Sequence, residues 1–180
     1  MIFATVGTQL PFDRMLTSLD NWAAHNPNIP VFAQTGSSSG SFPHLKTVSS
    51  LSQVEFGDYF ERARLVVAHA GMGTILSAAE VGKPLILMPR RLKFNEHRTD
   101  HQHDTAQEMA RLPNVTVVQD GVALREELDR ALNCNFELRP STTSNEAPEL
   151  EQLLRAIRDF VWNRPTQLHS TESADQSGAA

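Results

Sequence analysis

Short apolar runs alternate along this chain with segments of helical periodicity, and this alternation limits the folds that are open to it. Runs of four or five apolar residues between turn signals are typical of strands that are buried on both faces. They occupy residues 2–6, 30–33, 65–68, 85–88 and 115–118. Strands separated by helices form βαβ units, so the pattern predicts a Rossmann-like α/β fold with a parallel sheet flanked by helices.

The segments between these runs supply the helices. Apolar spacing predicts them at residues 13–26, 53–63, 74–81, 97–111 and 122–132, and residues 46–48 are a further strand candidate. Ligands of open parallel sheets bind beyond the carboxyl ends of the strands. The polar loop Gly7-Thr8-Gln9 and the loop that begins at His69 both follow a strand. We therefore expect these two loops to converge on one crevice.

Length and charge narrow the class of protein. The 180 residues suit one domain with its own core, and a net charge of -5 gives no reason to expect nucleic acid as a partner. The single cysteine, Cys134, excludes an internal disulfide, and the first residues lack the features of a signal peptide. No apolar stretch has the roughly 20 residues of a membrane span. We expect a cytoplasmic chain that reaches a membrane only through a partner.

The chain divides into three parts. Residues 1–135 hold the Rossmann-like domain, and residues 164–180 have the polar composition of a disordered tail. Residues 145–163 predict an amphipathic helix, which either docks a partner or packs on its own domain. Its apolar residues at helical spacing are Leu150, Leu153, Leu154, Ile157, Phe160 and Val161.

The loop His69-Ala70-Gly71-Met72-Gly73-Thr74 joins a predicted strand to a predicted helix. A helix entered in this way presents unpaired backbone N–H groups and the positive end of its dipole, which favours a phosphate. Gly71 and Gly73 would let such a group come close. The third glycine of a dinucleotide fingerprint and the Gly-Lys-Ser/Thr of a P-loop are both lacking. On these residues alone, a simple tight turn explains the two glycines equally well.

The wider segment 68–102, AHAGMGTILSAAEVGKPLILMPRRLKFNEHRTDHQ, resembles the nucleotide-sugar-binding signature of GT-B glycosyltransferases. It is similar to the C-terminal domain of the MurG-like family, and closer still to PssE-type subunits of exopolysaccharide and capsule synthesis. Those subunits are in turn similar to the catalytic subunit of the two-part dolichol-linked N-acetylglucosaminyltransferase. The opening segment 5–13, TVGTQLPFD, also resembles this subunit pattern.

The resemblance implies a fold and an activity. The fold would be the donor-binding half of a GT-B enzyme, and the chain a catalytic subunit of a split, inverting glycosyltransferase. Such a subunit transfers a sugar from a UDP-sugar to a lipid-linked glycan intermediate, with no obligatory cofactor. The resemblance also implies that the chain is active only together with a membrane-associated PssD-type partner, which binds the acceptor at the inner face of the membrane.

The resemblance also implies which residues bind the nucleotide. It places Gly7, Thr8 and Gln9 at the diphosphate, together with the glycine loop, His69, Ala70, Gly71, Met72, Gly73 and Thr74. In MurG-like relatives a glutamate that binds ribose stands where this chain has Ser77, so Glu80 is the candidate here. The catalytic base is left to the missing half, with His69 as the fallback candidate.

The segment after the strand at 85–88 is the candidate sugar site. The resemblance implies contacts to sugar hydroxyls from Asn95, His97, Asp100, His101 and Gln102. The cations Arg90, Arg91 and Lys93 would neutralise a diphosphate or an anionic sugar, with Arg90 the candidate ligand among them. His97 and His101, four apart on a predicted helix, also permit a metal site with Asp100. His-Glu-x-x-His is missing, and we expect no metal.

Two other functions stay open. A non-catalytic nucleotide-sugar-binding regulatory module would keep the pocket and transfer nothing with any partner. A stand-alone UDP-sugar epimerase would share the GT-B architecture, but that chemistry needs both halves in one cleft and the chain is short for it. A Ser-His-Asp hydrolase has no Gly-x-Ser-x-Gly elbow to support it.

Overall fold

The computed structural model describes residues 1–134, which build a six-stranded sheet in the order β3-β2-β1-β4-β5-β6. Every neighbouring pair of strands is parallel. The strands are β1 (Ile2–Thr5), β2 (Val31–Gln34), β3 (Lys46–Val48), β4 (Leu65–Ala68), β5 (Leu85–Leu87) and β6 (Val115–Val117). The α-helices are α1 (Asp13–His25), α2 (Gln53–Arg62), α3 (Met72–Glu80), α4 (His101–Met109) and α5 (Gly121–Asn133). The predicted parallel α/β fold is confirmed.

Helices cover both faces of this sheet. On one face α1 and α5 pack together over alternate strand residues, among them Ile2, Ala4 and Val67. On the other face Phe3 is fully buried and packs edge-on against Phe56 of α2, while the ring of Phe32 stacks on Tyr59 at 3.8 Å. Burial on both faces explains why the strands are continuous apolar runs in the sequence.

The predicted helix at 97–111 is wrong at its beginning, because α4 starts only at His101. A short 3-10 helix at Leu92–Phe94 ends at Asn95, which has a left-handed φ of 56°. Two carboxylates of the segment before α4 bond to the backbone upstream of it: Asp100 accepts from the N–H of Leu92 and Glu96 from the N–H of Arg91. Acidic side chains that bond to the local backbone compete in this way with helix formation.

The start of α3 and the C-terminal segment also differ in how they relate to the sequence predictions. α3 begins two residues earlier than predicted, at Met72. The predicted amphipathic helix at 145–163 and the tail at 164–180 lie outside the described residues. Within residues 1–134, none of the helices has the length and apolar character that a membrane span requires.

Gly82 and Lys83, within the segment that resembles the nucleotide-sugar signature, have structural roles. Gly82 follows α3 with a φ of +61°, a conformation that favours glycine. The ammonium of Lys83 donates to the carbonyls of Glu61 (2.9 Å) and Ala63 (2.8 Å), at the end of α2. A cation at a helix C-terminus satisfies carbonyls that have no intrahelical partner. This lysine therefore connects α2 to the loop before β5.

We expect Lys83→Met to lower the free energy of unfolding by about 1 kcal/mol, since two charge-assisted hydrogen bonds at a partly exposed helix end are lost. Urea unfolding followed by circular dichroism measures the change. The matched control is Arg125→Met, which removes an exposed cation of α5 and should shift stability by less than about 0.5 kcal/mol. Equal unfolding midpoints for Lys83→Met and the control would contradict this role of the lysine.

Candidate functional site

A cavity of about 260 Å³ opens at the carboxyl ends of β1, β4 and β5. Its walls come from the loop after β1, from the loop after β4, and from the segment between β5 and α4. The residues that line it are Val6, Gly7, Thr8, Gln9, Leu10, His69, Arg90, His97 and Gln102. The two loops that the sequence predicts to converge therefore lie together here.

The imidazole of His69 fills the space between two glycines of these loops. A Cβ built on Gly7 would lie 2.8 Å from Cε1 of the ring, and a Cβ built on Gly71 would clash with Nε2. Gly7 also has a φ of +74°, and its carbonyl oxygen lies where a side chain on Gly36 would start, at 2.6 Å. Packing of the fold itself thus requires glycine at positions 7, 36 and 71.

Gly73 has no such internal reason to be glycine. A Cβ built there meets no atom within 4 Å, and its φ is not positive. It lies in the first turn of α3, whose N-cap is Gly71, and no side chain caps this end. Since the first N–H to bond back into the helix is that of Ile75, to Gly71, the N–H groups of residues 72–74 have no intrahelical acceptor. This open helix start is physically suited to an anion.

His69 is held neutral near neutral pH. Burial, and next the positive charge of Arg90, lower its pKa from 6.5 to about 4. A ring with so low a pKa is a weak proton acceptor at neutral pH. The geometry gives His69 a packing role between the two loops, and its catalytic role stays a prediction.

Arg90 is buried, with 2% of its surface exposed, and its guanidinium faces backbone carbonyls. Nη2 donates to Val6 (2.6 Å) and Leu10 (2.7 Å), and Nη1 donates to Pro11 and Glu96. The guanidinium also lies 4.8 Å from the centre of the Phe12 ring. Burial lowers the pKa of Arg90 to about 10, which leaves it charged at neutral pH.

A partly buried ion pair that the sequence did not reveal lies next to Arg90, between Arg14 and Glu96. Arg14 of α1 grips Glu96 with two hydrogen bonds, from Nε to Oε1 (2.7 Å) and from Nη2 to Oε2 (2.8 Å). Arg14 also donates to the carbonyls of Pro89 and Gln119, both at 3.0 Å. The partners are 82 residues apart, and neither has a local sequence signal that would have paired them.

Residues 1–160 match the model of the glycosyltransferase family 28 C-terminal domain. The chain belongs to this family. Over 145 residues this family 28 domain is 29% identical to the UDP-N-acetylglucosamine--N-acetylmuramyl-(pentapeptide) pyrophosphoryl-undecaprenol N-acetylglucosamine transferase of Solibacter usitatus, an alignment that covers 76% of this chain. It is also 30% identical to the UDP-N-acetylglucosamine transferase subunit ALG13 of Yarrowia lipolytica, over 125 residues. That alignment covers 66% of this chain. The chain spans 36% and 58% of the lengths of these two relatives.

Solved structures agree on the architecture of the family 28 domain. The crystal structure of Acinetobacter baumannii MurG has a TM-score of 0.52 at 18% identity, with 75% of this chain and 41% of that chain covered. The glycotransferase of kitacinnamycin gives 0.54 at 17% identity, covering 89% and 39%. The solution structure of ALG13 gives 0.55 at 18% identity, covering 85% of this chain and 94% of that chain. The crystal structures are GT-B glycosyltransferases, and at these identities the likeness concerns the fold.

The family 28 domain brings only some of the predicted site residues together at the cavity. His97 and Gln102 line it, and the side chain of Gln102 accepts a hydrogen bond from the backbone N–H of Arg90 at 3.2 Å. Ala70 to Thr74 do not line it, and adjoin it through His69. The roles of these residues stay predictions.

The remaining candidates do not line the cavity. Asn95, Asp100 and His101 are exposed, and Glu80 is the last residue of α3, roughly 10 Å along the helix axis from Gly73. The alternative of a metal site assumed that His97 and His101 lie on the same helix. This assumption is wrong, because α4 begins at His101 and His97 lies before it. Across residues 1–134, no three His, Cys, Asp or Glu side chains are grouped in a way that would hold a metal ion.

Proposed function

We propose that this family 28 domain is the catalytic subunit that binds the sugar donor in a split, inverting GT-B glycosyltransferase. Its donor would be a UDP-sugar, and its acceptor a lipid-linked glycan intermediate of exopolysaccharide or capsule synthesis. The observation that carries the proposal is Gly73, a glycine that the fold does not need, at the uncapped start of α3 beside a polar cavity. A glycine in such a place lets a ligand approach the backbone closely.

The chemistry of this helix start suits a diphosphate. The N–H groups of residues 72–74 supply hydrogen bonds and the helix dipole supplies a positive potential. Neutral His69 adds no charge to that potential. Both relatives described above are named as enzymes that use UDP-N-acetylglucosamine. For this chain we infer the same class of donor, a UDP-sugar, without choosing the sugar.

The polar side chains of the cavity suit the sugar. Thr8, Gln9, His97 and Gln102 line it, and together they offer both hydrogen-bond donors and acceptors. A sugar hydroxyl that leaves water must keep its hydrogen bonds, so a polar wall is what a hexose requires. We therefore place the sugar in this cavity, which His69 helps to line, and the diphosphate at the start of α3, which follows His69 in the chain.

Transfer would require a second polypeptide. An acceptor hydroxyl would attack the anomeric carbon while a general base takes its proton, and the bond to the diphosphate breaks to release UDP. The start of α3 would stabilise the charge that develops on the leaving diphosphate. His69, with its pKa of about 4, is a poor base for this step. We infer that a membrane-associated PssD-type partner carries the base and the acceptor site and recruits this chain to the inner face of the membrane.

Calorimetric titration tests this function. We expect the purified chain to bind UDP saturably, and to bind ADP much more weakly if the uracil base is recognised. Coexpression with a membrane-associated PssD-type subunit should then give transfer from one UDP-sugar of a panel. Failure to bind UDP, alone or with the partner, would contradict the donor site. Binding without transfer in the presence of the partner would favour the regulatory module instead.

A further inference from the structure

We propose that Arg90 is a positioning residue of the sugar-donor site: its guanidinium fixes the shape of residues 6–11, here called the β1 loop, and does not itself grip the donor. This inference rests on the proposed function, because it describes how the proposed site is built. It replaces the expectation that Arg90 binds an anionic group of the ligand directly.

The terminal nitrogens of the Arg90 guanidinium already have acceptors within the protein. The two terminal nitrogens of a guanidinium carry four N–H groups. In Arg90 four backbone carbonyls accept from these nitrogens, those of Val6, Leu10, Pro11 and Glu96. Bidentate recognition of a phosphate or carboxylate uses two parallel N–H groups of one guanidinium. Arg90 would have to break bonds to the protein in order to offer such a pair.

The β1 loop depends on these bonds for its path. Three of the four carbonyls belong to it, and it lies between β1 and α1 without regular secondary structure. Further bonds hold its two ends: the N–H of Val6 donates to the carbonyl of Gln34 (3.2 Å), that of Gly7 to Thr5 Oγ1 (3.2 Å), and that of the adjoining Phe12 to Ser38 Oγ (2.8 Å). Arg90 thus ties the beginning of the loop at Val6 to its end at Leu10 and Pro11, and the exposed residues Thr8 and Gln9 lie at the cavity between these bonds.

Arg90 also ties this loop to the opposite wall of the cavity. Its backbone N–H donates to Gln102, and its side chain donates to the carbonyl of Glu96. The carboxylate of Glu96 is held in turn by Arg14 at the beginning of α1. Through one buried side chain, the loop after β1 and the segment before α4 become parts of the same hydrogen-bonded unit.

The test compares Arg90→Met, Arg90→Lys and the control Arg111→Met, which removes an exposed arginine at the end of α4. We expect Arg90→Met to lower the affinities for UDP and for UMP by the same factor, about tenfold, because a loop that is no longer fixed must be ordered on binding. The dependence of Kd on salt concentration should stay that of the wild type, since no ionic contact to the ligand is lost. Arg111→Met should bind like the wild type.

A spectroscopic measurement without ligand separates loop shaping from general stability. In ¹H–¹⁵N spectra of Arg90→Met, we expect the amide signals of Thr8, Gln9 and Leu10 to shift or broaden while those of β4 and β5 remain. If the methionine variant does not fold, the same amide signals are measured in Arg90→Lys. A lysine has only three N–H groups for four carbonyls, so it should disturb the loop less than methionine does.

Two results would overturn the proposal. One is an affinity of Arg90→Met that falls much more for UDP than for UMP, together with a Kd that depends less on salt concentration than the wild-type Kd does. This would show that Arg90 contacts the second phosphate directly. The other is a set of loop signals and affinities that match the wild type. If the wild-type chain binds neither UDP nor UMP, the proposed function fails, and the ligand-free spectra still decide whether Arg90 shapes the loop.

Discussion

Replacement of Gly73 by leucine is expected to lower the affinity for UDP by at least about a hundredfold while the domain stays folded. The side chain would point into the open space at the start of α3, where we place the diphosphate. Loss of one or two charge-assisted hydrogen bonds, each about 1.5–3 kcal/mol, corresponds to a change of this size. The substitution therefore tests the site by blocking it and leaves the scaffold unchanged.

The fold should tolerate Gly73→Leu for two reasons. A Cβ at position 73 meets no atom within 4 Å, and leucine has a higher helix propensity than glycine. Gly57 offers a matched control, because it too lies within a helix, α2, and has no atom within 4 Å of an added Cβ. We expect Gly57→Leu to bind UDP like the wild type, and both variants to melt at or above the wild-type temperature.

Calorimetric titration with UDP, together with thermal melts of both variants, measures the effect. A wild-type Kd for Gly73→Leu would move the diphosphate away from the start of α3. A fall in affinity accompanied by a fall in melting temperature would indicate that the leucine disturbs the fold, which the empty surroundings of Gly73 argue against.

The fold was predictable because it depends on local patterns. Buried parallel strands need continuous apolar runs, and the helices between them need apolar residues at helical spacing, so both can be read from short windows. The beginning of α4 was not predictable in this way. In the segment before it, Asp100 and Glu96 accept the N–H groups of Leu92 and Arg91, and these bonds cannot be read from the charge-rich sequence at 95–102, which is equally compatible with a longer helix.

The candidate site was predictable where glycines mark it, and less so where charges do. The sequence indicated the loops at Gly7 and at His69 to Thr74, and the structure places both at one edge of the sheet. It did not show that the imidazole of His69 occupies the space that Gly7 and Gly71 leave. Nor did it show that Arg90 donates to the β1 loop, 79 to 84 residues earlier, since hydrogen bonds of this kind depend on tertiary structure.

Acidification is expected to destabilise the domain through His69. Folding lowers the pKa of this ring from 6.5 to about 4, first through burial and then through the charge of Arg90. Between these two pH values the unfolded chain binds a proton that the folded chain does not, so stability decreases as the pH falls. The loss begins below about pH 6.5 and reaches about 3 kcal/mol near pH 4. Above pH 6.5 this residue makes no pH-dependent contribution.

Urea unfolding between pH 4 and pH 8 measures this dependence, and His69→Gln should remove most of the slope that begins below pH 6.5. His25→Gln is the control, because His25 is exposed at the end of α1. A Cε1–H signal of His69 that titrates near pH 6.5 in the folded protein would contradict the prediction. Since Arg90 is the second cause of the low pKa, Arg90→Met should raise it. The titration of His69 therefore also reports whether the charge of Arg90 acts at the wall of the proposed site.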